Sequence, residues 1–359
     1  MRTFQSESGL KAGSACSVSG TGSAFPALPF TCTVHSVFRG ALNLRVAGSS
    51  WLCSIVASPA KAHPLAAVLG DRTDFLSWGL EAGTRGAFSG SRLEFQASPS
   101  VPGMDFSLAE IKTAERICAL EVRGPSLQAC LHRAETLLES FQAKAGTGLR
   151  FSALSGNGAP ANPFEKIFLP AAAALVRAQM MATTTAKVTT TGGLDVESAV
   201  RLLRPLIGLG EGLTPTGDDF VTGYLAALRA RTAAAGDGAP EASAGNRNRD
   251  LGTLAFVETL GSALLLPASP LSKSVLSATN DISAAFLACA AKGLFSSALV
   301  SFAQALAWSA TQPAIRNRND YGRMDSALED VCKLGHSSGM DVVSGFLFGL
   351  RSCREPCGE

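Results

Sequence analysis

The stretch richest in groups able to do chemistry is Gly-Leu-Gly-Glu-Gly-Leu-Thr-Pro-Thr-Gly-Asp-Asp at 208–219, followed directly by Phe-Val-Thr-Gly-Tyr-Leu. Gly208, Gly210 and Gly212 admit backbone geometries closed to other residues. Successive N–H groups can then turn toward one ligand and form an anion-binding concavity. Pro215 suits the first turn of a helix and Thr214 suits its cap, with Thr216 and Gly217 next inside. Such a loop delivers unpaired amides and the positive end of a helix dipole to one point, the arrangement that binds phosphate or carboxylate. A P-loop is excluded because no Gly-Lys-Ser/Thr follows, and a dinucleotide fingerprint because no strand precedes. Asp218 and Asp219 fall in the first turns of the helix, where an acid ordinarily gains about 0.3–1 kcal/mol from the macrodipole. Their chemical alternative is to orient a reacting amide or to hold Mg²⁺ against a phosphate. Adjacent helical positions point about 100° apart, so one acid can face a ligand while the other fixes the loop.

A second element has the same character. Gly-His-Ser-Ser-Gly-Met-Asp (335–341) opens the last apolar run, with Ser337 or Ser338 as cap, His336 beside the helix mouth and Asp341 one turn inside. Two such mouths facing each other make one polar pocket in an apolar helical body. No nucleophile-elbow spacing supports a Ser/His/Asp hydrolase. Thr279, Asn280 and Ser283 stand at a further helix start, where capping is the ordinary role and Asn280 is also a candidate ligand contact. His35 and Asn43 lie on adjoining strands and are expected to face solvent. His35, His63 and His132 share no ligand spacing with acids, which argues against a transition-metal site. The echo Asn-Arg-Asn-Arg-Asp (246–250) and Arg-Asn-Arg-Asn-Asp (316–320) offers Arg247, Arg249, Arg316 and Arg318 as anion contacts, though solvated loops are the simpler reading.

These elements need a large apolar body to hold them, and the composition supplies it. Of 359 residues, 46% are hydrophobic and only 17% charged, against about 25% in an average soluble domain. General disorder is therefore excluded. The net charge of +2 gives no basic stripe for nucleic acid. Mean hydropathy is +0.21, yet the longest uncharged run, 293–315, is diluted by serines, glutamines and Pro313, so a buried helix is expected and no membrane span. Nine scattered cysteines without a C-x-x-C pair fit reduced thiols in the cytoplasm.

The spacing predicts an α+β chain: a flexible N-terminal arm (1–27), a β-rich domain (28–106), and a larger, mainly α-helical domain (107–359) carrying both glycine motifs. Strands are expected at 31–38, 42–46, 51–57 and 92–97, with a short amphipathic stretch at 63–80. Helices are expected at 125–145 (Ser126 as cap), 163–181, 195–207, from about 215, and at 251–266, 281–291, 294–310, 326–334 and 338–351. Residues 232–250 lack an apolar period and read as a mobile loop.

Together, the 208–219 motif, the 279–295 stretch Thr-Asn-Asp-Ile-Ser…Ala-Ala-Lys-Gly-Leu-Phe and Gly-His-Ser-Ser-Gly-Met-Asp…Gly-Phe-Leu-Phe-Gly-Leu resemble a bacterial family. That family includes the smallest of three proteins assigned to oxamate carbamoyltransferase in anaerobic allantoin degradation. Val-His-Ser-Val-Phe…Leu-Asn-Leu (34–44) is similar to the family's N-terminal start. Glu211 and Thr216 stand where the family often has Pro and Ser, and the 232–250 loop is longer. The resemblance implies reversible carbamoyl transfer between carbamoyl phosphate and oxamate, which in reverse is phosphorolysis of oxalurate in purine nitrogen catabolism. It also implies a hetero-oligomer with larger synthetase-like subunits. The Ser-Thr-Arg-Thr phosphate loop of ordinary transcarbamoylases is absent.

On this reading Gly208, Gly210, Gly212, Thr214, Thr216 and Gly217 bind the phosphate or carboxylate of a small anionic substrate (carbamoyl phosphate, oxamate or oxalurate). Asp218, Asp219 and His336 act on it, Asp218 and Asp219 also holding Mg²⁺ if a metal is used. Asn280, Ser337, Ser338 and Asp341 complete the pocket. Two other expectations stand beside it: a non-catalytic ligand-binding or assembly subunit of such a complex, and a stand-alone Mg²⁺-dependent amide hydrolase.

Overall fold

The computed structural model describes residues 16–26, 28–69, 73–96, 101, 103–106, 116–118, 120, 125–146, 149–156, 158–185, 194–232, 244–267, 274–312 and 321–352. The chain divides into two compact units, Met1–Thr113 and Ala114–Glu359.

The first unit is a closed β-barrel. Its strands are β1 (Cys16–Thr21), β2 (Phe30–Phe38), β3 (Ala41–Val46), β4 (Leu52–Val56), β5 (Ala66–Leu69), β6 (Arg85–Phe88), β7 (Arg92–Phe95) and β8 (Met104–Asp105), in the order β1-β5-β4-β3-β2-β6-β7-β8 around the barrel. Neighbours are antiparallel except β4 with β5 and β1 with β8, which run parallel. Alternation along the strands turns Val18, Val34, Leu42, Leu44, Leu93 and Met104 into the core.

Three sequence expectations need correction here. Residues 16–21 of the expected arm form β1, whose Cys16 and Val18 are buried; the Ser/Gly-rich composition masked a short alternating strand. The stretch at 63–80 holds β5 and a 3-10 turn at Phe75–Trp78. Asn43 does not face solvent. It is buried, with Ser54 Oγ donating to its Oδ1 (2.7 Å) and its Nδ2 donating to Ser36 Oγ (3.0 Å).

The second unit is helical: α1 (Pro125–Ala145), α2 (Phe151–Leu154), α3 (Pro163–Thr185), α4 (Val196–Leu203), α5 (Thr216–Thr232), α6 (Ala244–Leu265), α7 (Asp281–Ala291), α8 (Ser297–Thr311), α9 (Gly322–Cys332) and α10 (Ser338–Arg351). Here α1 already begins at Pro125, so Ser126 lies inside the helix and does not cap it. The 232–250 expectation is wrong from Ala244 onward, because α6 starts there. Its opening turns carry no apolar period, and the expectation had relied on that period alone. Residues 246–250 therefore lie in a helix; residues 316–320, with Arg316 and Arg318, lie outside the described residues.

Helix α5 is buried nearly all round, with an apolar middle from Phe220 to Leu228. Phe220, Val221, Tyr224, Leu225 and Leu228 are fully buried, with α6, α7 and α10 packed around them. Its closest neighbour is α10. A Cβ on Gly223 would lie 1.9 Å from the Val342 carbonyl oxygen, and one on Gly345 would lie 2.0 Å from that of Phe220. Backbone thus meets backbone along this seam. Thr214 contacts Ser338, Thr216 contacts Asp341, Phe220 contacts Gly345 and Tyr224 contacts Gly349. Positions advance together, so the two helices are parallel and open at the same end. Among the described residues no helix is long and apolar enough to cross a membrane, and the described cysteines are free thiols.

Candidate functional site

The 204–215 turn enters α5 through a backbone that only glycine tolerates at its start. Gly208 has φ +77°, and a Cβ there would stand 2.1 Å from the Ala278 carbonyl oxygen. Gly210 and Gly212 also have positive φ. Gly217 is buried, its amide donating to Leu209 O, and a Cβ there would strike Leu206 O. Pro215 O accepts from the amides of both Asp218 and Asp219, so Pro215 sits in the first turn as expected. Thr214 is not the cap. Its hydroxyl is bonded instead to that of Ser338 on α10, at 2.5 Å.

The two adjacent acids do different work. Asp218 is buried and fully engaged: Oδ1 accepts from the Gly208 amide (2.7 Å), and Oδ2 from the Ser283 hydroxyl (2.6 Å) and the Thr279 hydroxyl. This carboxylate ties the glycine loop, α5 and the start of α7 together. Burial raises its pKa, and the Ser283, Thr279 and Gly208 donors offset part of that rise. Thr279 and Ser283 thus have a role beyond capping, while Asn280 is the cap, accepting from the amides of Ile282 (3.0 Å) and Ser283 (3.1 Å).

Asp219 faces the other way, toward α10. It is 7% exposed, and its Oδ2 has no hydrogen-bond partner. Asp341 is 1% exposed; Thr216 donates to its Oδ2 (3.0 Å), and its Oδ1 has no partner. Burial, then the nearby Asp341, push Asp219 well above the usual carboxylate range, against the lowering effect of the Thr214 and Ser338 hydroxyls. Burial pushes Asp341 up to about 7, with Thr216 and Ser337 working in the opposite direction. No described basic side chain acts on either carboxylate. The structure therefore brings Asp219, Asp341, Thr214, Thr216, Ser337 and Ser338 to one mouth, and holds Asp218 and Asn280 in its frame.

Ser337 is the N-cap of α10 by position but makes no side-chain cap bond, which leaves its hydroxyl toward Asp341. His336 is exposed in the turn just before it. Residues 210–213 are exposed too, and no described group accepts from the amides of Glu211, Gly212, Leu213 and Thr214. The Gly208 amide, by contrast, is spent on Asp218, and those of Gly217 and Gly339 on Leu209 O and Leu334 O. The loop amides without a described protein acceptor are thus the later ones, 211–214.

A family model described as oxamate carbamoyltransferase subunit AllH matches residues 206–350, a span that starts just before the glycine loop and ends within α10. A second, the AllH family N-terminal domain, matches residues 11–113, which takes in the barrel strands. The chain belongs to the AllH family. No curated protein and no solved structure matches it. The AllH match thus contains all three helix starts that meet at Asp218 and Asp219.

Sequence reasoning placed every one of these residues near a helix start but did not pair Asp219 with Asp341. The usable signal was the glycines inside apolar helices. Gly223 on one helix, and Gly345 and Gly349 on the other, mark two surfaces able to touch along their backbones.

Proposed function

We propose that this AllH-family chain works as a subunit of an oxamate-carbamoyltransferase-type enzyme, with the common mouth of α5 and α10 taking the carbamoyl substrate. The observation that carries this reading is the buried Asp219–Asp341 pair, each with one oxygen free of protein donors. A stable structural core satisfies such atoms, so unpartnered carboxylates are expected where a ligand completes them. In carbamoyl transfer the oxamate nitrogen attacks the carbamoyl carbon, the bond from carbon to the phosphate oxygen breaks, and the nitrogen gives up a proton. The departing phosphate, which gains basicity as its bond to carbon breaks, can carry that proton away. The amides of 211–214 and the hydroxyls of Thr214, Ser337 and Ser338 would receive the departing phosphate, with His336 at the rim. The larger synthetase-like subunits, the role in purine nitrogen catabolism and a cytoplasmic location belong to the same proposal.

The test is oxalurate phosphorolysis by the reconstituted complex. Asp219→Asn and Asp341→Asn are each expected to lower kcat at least a hundredfold, and His336→Ala about tenfold, with circular dichroism unchanged. Full activity in both aspartate variants would remove the site. A non-catalytic docking subunit is the second reading, favoured by the exposed apolar Ile167, Met181 and Leu251 on α3 and α6. It predicts that both variants still assemble and turn over normally.

A further inference from the structure

The proposed substrates are anions, yet the mouth presents two buried aspartates with a third behind them and no described basic side chain paired to the two in front. Two like charges in a low-dielectric pocket repel each other, and both repel an incoming phosphate or carboxylate. Either a proton or a cation must neutralise the pair before an anion can enter.

The donor chemistry separates these possibilities. The groups meeting at the two helix starts are all oxygens: the buried, unpartnered Asp219 Oδ2 and Asp341 Oδ1, and the hydroxyls of Thr214, Thr216, Ser337 and Ser338. Nitrogen and sulfur ligands, which would select zinc, are not among them. Among the described residues no group of three or more His, Cys, Asp or Glu is placed to hold a metal ion, so an ion here would rest on two carboxylates and hydroxyls. A site with two carboxylates and open positions is the kind that Mg²⁺ uses, keeping waters and binding substrate phosphate oxygens directly. Asp218 is not available for this role, since three protein donors already satisfy its oxygens.

We propose that Asp219 Oδ2 and Asp341 Oδ1 hold one hard divalent cation, Mg²⁺ or Mn²⁺, between the parallel starts of α5 and α10, and that this ion bridges the protein to an anionic substrate. The proposal deepens the carbamoyl reading and rests on it for the identity of the anion. The cation site itself rests on the unpartnered buried oxygens and is tested without turnover.

Mn²⁺ binding to the purified full-length chain is measured by electron paramagnetic resonance at pH 7.5, with Mg²⁺ as competitor and inorganic phosphate as anion probe. One Mn²⁺ per chain is expected, displaced by Mg²⁺, and phosphate binding by calorimetry is expected only when the metal is present. Asp219→Asn and Asp341→Asn should each weaken Mn²⁺ at least thirtyfold, and Ser338→Ala several-fold without removing a carboxylate. Asp281→Asn, an exposed acid at the start of α7, should leave it unchanged. Absence of Mn²⁺ binding, or binding untouched by both aspartate variants, overturns the proposal. So does metal-independent phosphate binding that strengthens as pH falls through 7, which would identify a shared proton and leave the carbamoyl reading standing. Mn²⁺ binding that follows the variants as expected, in a complex with no oxalurate phosphorolysis, retires the carbamoyl reading and keeps the cation site.

Discussion

Replacing Gly223 with alanine tests the geometry on which the site depends. A helix interior ordinarily gains about 1 kcal/mol from glycine to alanine, so propensity alone predicts a more stable protein. The seam with α10 predicts the opposite. The new methyl would lie 1.9 Å from Val342 O and 2.8 Å from the Phe346 amide nitrogen. It falls roughly 1.5 Å short of ordinary contact, and the obstacle is backbone that no rotamer change can move. Overpacking of this kind costs about 3 kcal/mol at the upper end, and opening the seam by even 0.5–1 Å forfeits a quarter to a half of each contact along it. Net of the propensity gain, a loss of about 2 kcal/mol is expected, or a fall in Tm of about 4–8 °C for a unit of this size. Urea unfolding followed by the helical circular dichroism signal measures it. Gly322→Ala, at the start of α9 where a Cβ meets nothing within 4 Å, is the control and should stay within about 0.5 kcal/mol of the parent. Gly345→Ala should cost a similar amount to Gly223→Ala, and the double variant less than both together, because a seam once opened accommodates the second methyl. A Gly223→Ala protein as stable as the parent would refute the close parallel pairing of α5 and α10.

Two further outcomes follow from buried polar groups. Asp218→Ala leaves the Gly208 amide and the Thr279 and Ser283 hydroxyls without their acceptor and should destabilise by about 3 kcal/mol or more in urea titration, while Asp218→Asn, which keeps an acceptor oxygen, should cost less. His63 is buried, and burial lowers its pKa from 6.5 to about 4. The unfolded chain therefore binds the proton first as pH falls: the stability this neutral imidazole contributes is complete above 6.5 and is lost progressively down to about 4, by about 3 kcal/mol in all. His63→Gln should flatten the pH dependence of barrel stability across that window, and an unchanged slope would show that the imidazole is not buried neutral.

Helices with a strong apolar period were legible from end to end. The ranges expected at 125–145, 281–291 and 338–351 coincide with α1, α7 and α10. Where the apolar period was weak, the reading failed: the polar opening of α6 looked like loop, and the four-residue strands β5 and β6 were too short to show alternation. At the site, residue types announced two polar helix mouths. They did not say that Asp218 turns inward to Thr279 and Ser283 while Asp219 turns to Asp341, because that depends on which helix lies beside α5. Parallel neighbours separated by a hundred residues leave no local trace except the small residues that let them touch. Asn43 was misplaced for a related reason: a polar residue on a strand reads as solvent-facing until a partner such as Ser54 is seen across the ladder.

The barrel's closing pair has a consequence for synthesis. Cys16 and Ser17 pair in parallel with Met104 and Asp105, so the first strand finds its second neighbour only when the last strand exists. During translation β1 and β7 must wait with open edges, and no prefix of the chain that stops before residue 104 can close the ring. Open edges are templates for pairing with other chains, and contacts this far apart in sequence form slowly. Ribosome-bound chains that have emerged as far as about residue 95 should therefore be the most aggregation-prone stage of this unit, and release from that state should come as roughly the next ten residues emerge.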